Sequence, residues 1–269
     1  MQYLIIGAGP AGVNAAESLR QLDPDAAIRI IGDEPEPPYS RMAIPYLLMN
    51  RVDEHGTHLR DRADHFAGLD IQVVQGRVAK VDPPAHRVTL EDGSVVAYDK
   101  LLIATGSSPA NPPIPGIDGP NVSSCWTLAD ARVISGKALP DSHVALIGAG
   151  FIGSIILEAL GMRGVRLSVI EQGERMVPRM MGAQAGGLLK RWCEEKGVEV
   201  HTGVAVDRIE SNGVHLADGT HIDADLVITA TGVRPNVAFL EGSGATVDQG
   251  VVIDRHFRTS EQDVYAAGD

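Results

Sequence analysis

"YLIIGAGPAG" (3–12) runs four largely apolar residues straight into a glycine turn. The apolar run reads as a buried strand, and "PAGVNAAESLRQL" (10–22) reads as the helix that follows the turn. Between them stands G-x-G-x-x-G at Gly7, Gly9 and Gly12. In this pattern one glycine permits the tight turn, one lets backbone approach a pyrophosphate, and one lets the helix pack on the strand. The helix N-terminus then presents free N–H groups and a partial positive charge to the phosphates.

A single such turn is weak evidence. The design recurs in "VALIGAGFIG" (144–153), with Gly148, Gly150 and Gly153, followed by "SIILEALGMRG". Each copy is also followed by a second strand that ends in acid. "AIRIIGDE" (27–34) closes on Asp33 and Glu34, with Asp33 21 residues past Gly12. "RLSVIEQ" (166–172) carries Glu171, 18 residues past Gly153. An acid about 20 residues beyond the turn hydrogen-bonds a ribose hydroxyl pair. A third element repeats as well: "YDKLLIATGSSP" (98–109) and "ADLVITATGVRPN" (224–236) are both an apolar strand, Ala-Thr-Gly and a proline. Three elements in the same order twice point to a duplicated nucleotide-binding unit. The expected fold is α/β with two Rossmann-like domains.

Composition bounds the rest. A length of 269 residues accommodates two domains of ordinary size. A net charge of −12 argues against nucleic acid as a partner. No apolar run reaches membrane-spanning length, so no membrane association is expected. The first strand begins almost at Met1, so no targeting segment is expected either. The two cysteines, Cys125 and Cys193, lack CxxC spacing, which fits a reducing cytoplasm and neither a disulfide scaffold nor a zinc cluster. His55, His58 and His65 in "RVDEHGTHLRDRADHF" (51–66) lack clear ligand spacing, and no metal site is expected there.

The ordered set GAGPAG (7–12), the acids at 33–34, "PPYSR" (37–41), ATG (104–106), GAGFIG (148–153), Glu171, "ATGVRPN" (230–236) and "VYAAGD" (264–269) resembles the FAD/NAD(P)H-dependent pyridine nucleotide-disulfide oxidoreductase superfamily. "GDEPEPPYSR" and "GAGFIG" look most like the branch holding ferredoxin-type reductases, the flavin module of NADH-dependent nitrite reductases and apoptosis-inducing factor. The resemblance implies FAD at Gly7, Gly9, Pro10, Ala11 and Gly12, with Asp33 or Glu34 on the adenosine ribose. It also implies Arg41 at the FAD phosphates or flavin and Val78 beside the adenine through its backbone. Thr105 and Gly106 would line the exit toward the second domain, and Asp269 would contact the ribityl and pyrophosphate. NADH would lie at Gly148, Gly150, Phe151, Ile152, Gly153, Glu171 and Gly232. The expected division is an FAD domain of residues 1–115 and 239–269, with an NAD(H) domain, 116–238, inserted in it.

Several family features are absent. Met42 stands where thiol-dependent relatives carry a redox cysteine, so direct electron flow between nicotinamide, flavin and an acceptor is expected. No lysine occupies "MAIPY" (42–46), where ferredoxin-reductase relatives place one near the flavin, and Ile155 replaces a glutamate that reaches the nicotinamide amide. The activity implied is a flavoprotein NADH oxidoreductase that delivers electrons to an iron–sulfur protein, a nitrite-reductase module or a small molecule. The alternative is an FAD/NADH-binding sensor with little turnover. In relatives the chain continues past "VYAAGD" into a helix and an interface domain of about a hundred residues. A chain lacking that domain is therefore expected, with weakened FAD binding and without the dimer the domain supports.

Overall fold

The computed structural model describes residues 1–269. The chain divides into two compact units. The first comprises Met1–Ser40, His58–Ser108 and Pro235–Asp269, and the second Arg41–Thr57 and Pro109–Arg234. Strands β1 (Gln2–Ile6), β2 (Ala27–Gly32), β3 (Ile71–Gln75) and β4 (Lys100–Ile103) lie in the first unit. Strands β5 (Val122–Ser124), β6 (His143–Ile147), β7 (Arg166–Glu171), β8 (Glu199–Thr202) and β9 (Leu226–Thr229) lie in the second, and β10 (Val264–Ala266) returns to the first. The four long helices are α1 (Pro10–Leu22), α2 (Leu128–Lys137), α3 (Phe151–Gly161) and α4 (Ala183–Glu195).

The first unit is built on a parallel sheet of order β10-β4-β1-β2-β3. Ile6 lies opposite Ile31 on one side and Ile103 on the other. The second unit repeats the plan as β8-β7-β6-β9-β5, with Ile147 opposite Ile170 and Thr229. Both central strands are buried along their apolar runs, Leu4–Ile6 and Val144–Ile147 being at most 5% exposed. Continuous rather than alternating burial is what a parallel sheet covered on both faces produces. In each sheet the order reverses beside the central strand: the next strand in sequence lies on one side and the Ala-Thr-Gly strand on the other. That reversal is the topological switch point where open α/β sheets bind ligands, outside the carboxyl ends of the strands. Each unit adds a small antiparallel sheet, from strands 78–82, 87–90 and 95–97 in the first and 206–210, 213–216 and 221–223 in the second.

The unit boundaries differ from the expected ones. The chain crosses at 108/109 and 234/235, and Arg41–Thr57, expected in the FAD domain, lies with the second unit. The reason is local packing. The short helix Ile44–Leu48 buries Ile44, Pro45 and Leu48. Arg163 donates to the Leu48 carbonyl at 2.9 Å, and Arg132 pairs with Glu54 at 2.7 Å. No helix is long and apolar enough to cross a membrane.

Candidate functional site: two glycine turns

The three glycines of each turn do different work. At Gly7 the backbone is left-handed (φ +115°), and a Cβ there would fall 2.0 Å from the Ala104 carbonyl oxygen. At Gly12 a Cβ would fall 2.0 Å from the Gly7 oxygen. Both glycines are demanded by the protein's own packing of β1, β4 and α1. Gly9 is not. Its φ of −79° and ψ of −176° suit any residue, and a Cβ there would meet nothing within 4 Å. The second turn shows the same division. Gly148 and Gly153 would clash with the Ala230 oxygen at 2.4 Å and the Gly148 oxygen at 2.1 Å, while Gly150 faces open space. A missing side chain that no internal contact requires fits the close approach of a ligand to backbone.

The helix starts agree. Gly9 and Gly150 are the N-caps of α1 and α3, and neither helix has a side-chain cap. Of the other two long helices, α2 has a complete capping box from Thr127 and Asp130, and α4 starts uncapped on Gly182 but does not follow a switch-point strand. Uncapped N-termini at two switch points leave N–H donors and the positive end of the helix dipole for an anion. A phosphate-bearing cofactor therefore fits both cradles.

The acids are not equivalent. The Gly7 N–H donates to the Ile31 oxygen and the Gly148 N–H to the Ile170 oxygen, at 2.7 and 2.8 Å, which aligns Glu171 with Gly32 rather than with Asp33. Gly32 lies against Ala8, where a Cβ would meet the Ala8 Cβ at 2.9 Å, so Asp33 follows directly beside the first turn and is exposed. Glu34 accepts from the Tyr39 hydroxyl at 2.6 Å. Glu171 accepts from the Ala149 N–H at 2.8 Å and from the Gly173 N–H at 2.7 Å, one on each oxygen. A carboxylate has about four lone-pair sites, so these bonds hold it beside the turn while leaving acceptor capacity for a ribose.

Three sequence-predicted residues, Thr105, Gly106 and Asp269, lie at the carboxyl end of the first sheet. Gly106 is left-handed (φ +61°), Thr105 donates to the Asn236 oxygen at 2.8 Å, and Ser107 donates to the Asp269 carboxylate at 2.7 Å. A Cβ on Gly268 would touch the Ala11 Cβ at 3.4 Å, which sets the 268–269 segment beside the start of α1. Asn236 ties the group together. Its side chain donates to the Thr105 oxygen at 3.0 Å and accepts from Ser108 at 2.7 Å. Nothing local in "ATGVRPN" (230–236) marks Asn236 for this part, since both its partners lie 128 or more residues away in the chain.

Other predicted residues have their own partners. Arg41, in the second unit, donates to the Trp126 carbonyl at 2.8 Å and lies 5.4 Å from that ring's centroid. Val78 is buried in the first unit's core opposite Leu90. Phe151, first in α3, is 55% exposed, and Gly232 is left-handed (φ +113°) with open space at its Cβ position. Both cysteines are buried and unpaired. Burial, with Asp130 adding to it, pushes the Cys125 thiol up to about 12, and burial also raises Cys193. Thiolates are the reactive form, so neither is poised for exchange chemistry.

The pyridine nucleotide-disulphide oxidoreductase family matches across residues 1–269. The chain is 32% identical over 272 residues to the NADH-dependent phenylglyoxylate dehydrogenase subunit epsilon of Aromatoleum evansii, covering 99% of this chain and 64% of that one. It is 32% identical over 276 residues to the nitrite reductase (NAD(P)H) of Bacillus subtilis (strain 168), covering 100% of this chain and 34% of that one. Among solved structures, the covalent putidaredoxin reductase–putidaredoxin complex superposes with a TM-score of 0.95 at 28% identity, covering 100% of this chain and 67% of that one. The chain thus spans about two thirds or less of the lengths of these relatives. With the match running from end to end and two uncapped glycine turns at two switch points, the chain belongs to the pyridine nucleotide-disulphide oxidoreductase family.

Proposed function

We propose that the chain is the nucleotide-binding part of an FAD-dependent NADH oxidoreductase, with FAD on the first unit and NADH on the second. The observation that carries this reading is the pair of open glycines, Gly9 and Gly150, each at an uncapped helix start. Gly9, Pro10, Ala11 and Gly12 would hold the FAD pyrophosphate, Asp33 would take the adenosine ribose, and the Thr105–Ser108 segment with Asp269 would border the flavin half. Gly150, Phe151, Ile152 and Gly153 would hold the NADH pyrophosphate and Glu171 its adenosine ribose. When bound, the flavin supplies the hydride acceptor and the one- or two-electron donor. The chain's own part is to bind and align, and no side-chain acid or base is assigned to the hydride step. Buried, high-pKa cysteines favour a route without a thiol relay.

For the acceptor we propose a small iron–sulfur electron-transfer protein. The putidaredoxin reductase likeness and the nitrite reductase likeness both support an external or appended redox partner. The test is anaerobic: the FAD-loaded protein is mixed with NADH and flavin absorbance followed, then ferredoxins, rubredoxins, nitrite, quinones and oxygen are offered. Rapid bleaching, with reoxidation by an iron–sulfur protein, is expected. Protein that takes up FAD and NADH but keeps its flavin oxidised is instead a binding module and overturns the enzymatic reading.

A further inference from the structure

We propose that Val177 is a positioning residue for the second glycine turn, acting through its backbone N–H on Ala149. The proposal rests on the reading of that turn as the NADH site. Seven non-glycine residues have left-handed backbones: Asn50, Asp70, His86, Asp141, Val177, Phe257 and Asp263. Five are Asn, Asp or His, types that recur in this region, and Asn and Asp tolerate it because their short polar side chains bond locally. Val177, at φ +48°, is β-branched and precedes Pro178, and each of those features restricts its backbone further. A conformation this unfavourable persists only where its surroundings over-determine it, and such residues cluster at ligand clamps.

The surroundings do over-determine it. Val177 is 5% exposed. Its N–H donates to the Ala149 oxygen at 2.8 Å, and its own carbonyl accepts from the Met180 and Met181 N–H groups at 3.1 and 2.9 Å. Arg175 closes the same loop from the inside, donating to the Met181 oxygen at 2.8 Å and the Pro178 oxygen at 3.2 Å. At the start of α4, Gly186 lets the loop pack close, since a Cβ there would fall 2.7 Å from the Met176 oxygen.

The consequence falls on one peptide group. Ala149 is held at both ends, its N–H by Glu171 and its carbonyl by Val177. A trans peptide is planar, so fixing the Ala149 carbonyl also fixes the N–H of Gly150, which points the opposite way. Gly150 is the open glycine and the N-cap of α3. The strained loop therefore aims the Gly150 N–H away from Val177 and holds it there before the ligand arrives. The first turn is braced differently, by Gly32 against Ala8.

The test compares Val177→Pro, which removes the N–H and forbids the left-handed backbone, with Val177→Asn, which keeps both. Both lose a buried valine, so both should melt lower. NADH affinity of the FAD-loaded protein, measured by calorimetry, should fall at least tenfold in Val177→Pro and stay within about threefold in Val177→Asn. Wild-type affinity in Val177→Pro, or an equal loss in both variants, overturns the proposal. If Val177→Pro does not fold, amide exchange on the wild type decides instead. The Val177 N–H should be protected and should slow further with NADH; fast exchange in both states overturns the idea. Wild-type protein that does not bind NADH sinks the site assignment itself, a different result from a wild type that binds and a proline variant that binds equally well.

Discussion

At Gly7 a methyl group would sit 2.0 Å from the Ala104 carbonyl oxygen on a backbone of φ +115°, and at Gly9, two residues on, it would touch nothing within 4 Å. Gly7→Ala must therefore move β4 or the turn, and a loss of about 3 kcal/mol in stability is expected. Gly9→Ala should stay within about 0.5 kcal/mol of wild type. Its cost appears in FAD binding, expected to weaken by at least about tenfold, or 1.4 kcal/mol. Thermal melting and FAD titration of the two variants separate the roles; a Gly9→Ala variant that binds FAD normally refutes the cradle. Coenzyme choice also lives at this scale. A 2′-phosphate beside Glu171 meets a carboxylate already fixed by two N–H groups. Arg175, the nearby cation in sequence, is committed to the Met181 and Pro178 carbonyls. NADH should therefore outperform NADPH in kcat/KM by at least about tenfold; equal efficiencies would show that the loop rearranges. The thiols offer a third check. With Cys125 at about 12 and both cysteines buried, native protein should react negligibly with a thiol reagent at neutral pH, and Ser at both positions should leave flavin reduction by NADH nearly unchanged.

Among the elements, α1 is fixed at two places. Its first turn meets the glycine cradle, and its middle is tied to the 59–66 segment by Glu17. Arg60 reaches both Glu17 oxygens, at 2.7 and 2.5 Å, and His65 Nε2 lies 2.7 Å from one of them. The Arg60 hydrogen bonds hold the Glu17 carboxyl below its ordinary value of 4.5. A depressed carboxyl contributes stability that is present above 4.5 and lost as pH falls through the lowered value. Glu17→Gln should cost about 1–2 kcal/mol near neutrality and flatten the acid limb of the stability profile. An unchanged acid limb would show the pair to be inert. How legible such ties were depends on what makes them. The two turns, their strands and their helices were readable because apolar runs and glycine spacing are local patterns repeated twice. Nothing local in "RVDEHGTHLRDRADHF" (51–66) marks the tie to α1, because the partner of His65, Glu17, is 48 residues away. For the same reason nothing local marks the bond from Arg41 to the Trp126 carbonyl, 85 residues on. Nothing in "ERMVPRMM" (174–181) marks Val177 as left-handed either, since a β-branched residue before proline argues for extended backbone. Chain order is the only local signal for segment 41–57, whereas its place in the second compact unit comes with contacts to Arg163 and Arg132, far along the chain.

At the scale of the whole molecule, each cradle is complete within its own unit. Gly7, Gly9 and Gly12 are matched by Ala104, Gly268 and Asp33 of the first unit; Gly148, Gly150 and Gly153 are matched by Ala230, Glu171 and Val177 of the second. Neither needs a residue from the other to close its turn, so the two nucleotides should bind as separable events. Gly150→Ala should weaken NADH by at least about tenfold with FAD content intact, because Gly150 has open space for a methyl and no structural debt to the fold. Gly9→Ala should do the reverse, lowering FAD affinity while NADH still binds the apoprotein. Reduction of the flavin by NADH needs both nucleotides in place, so both variants should lose it at limiting ligand. At saturating NADH, Gly150→Ala should recover most of the wild-type rate, since the substitution acts on binding rather than on any group that moves charge. Flavin absorbance reports FAD content and reduction in one experiment, and calorimetry reports NADH. Loss of FAD on Gly150→Ala, or a reduction rate that saturating NADH cannot restore, would mean that the second turn acts on the flavin as well as on its own nucleotide, and the two cradles could no longer be treated as independent sites on a duplicated scaffold.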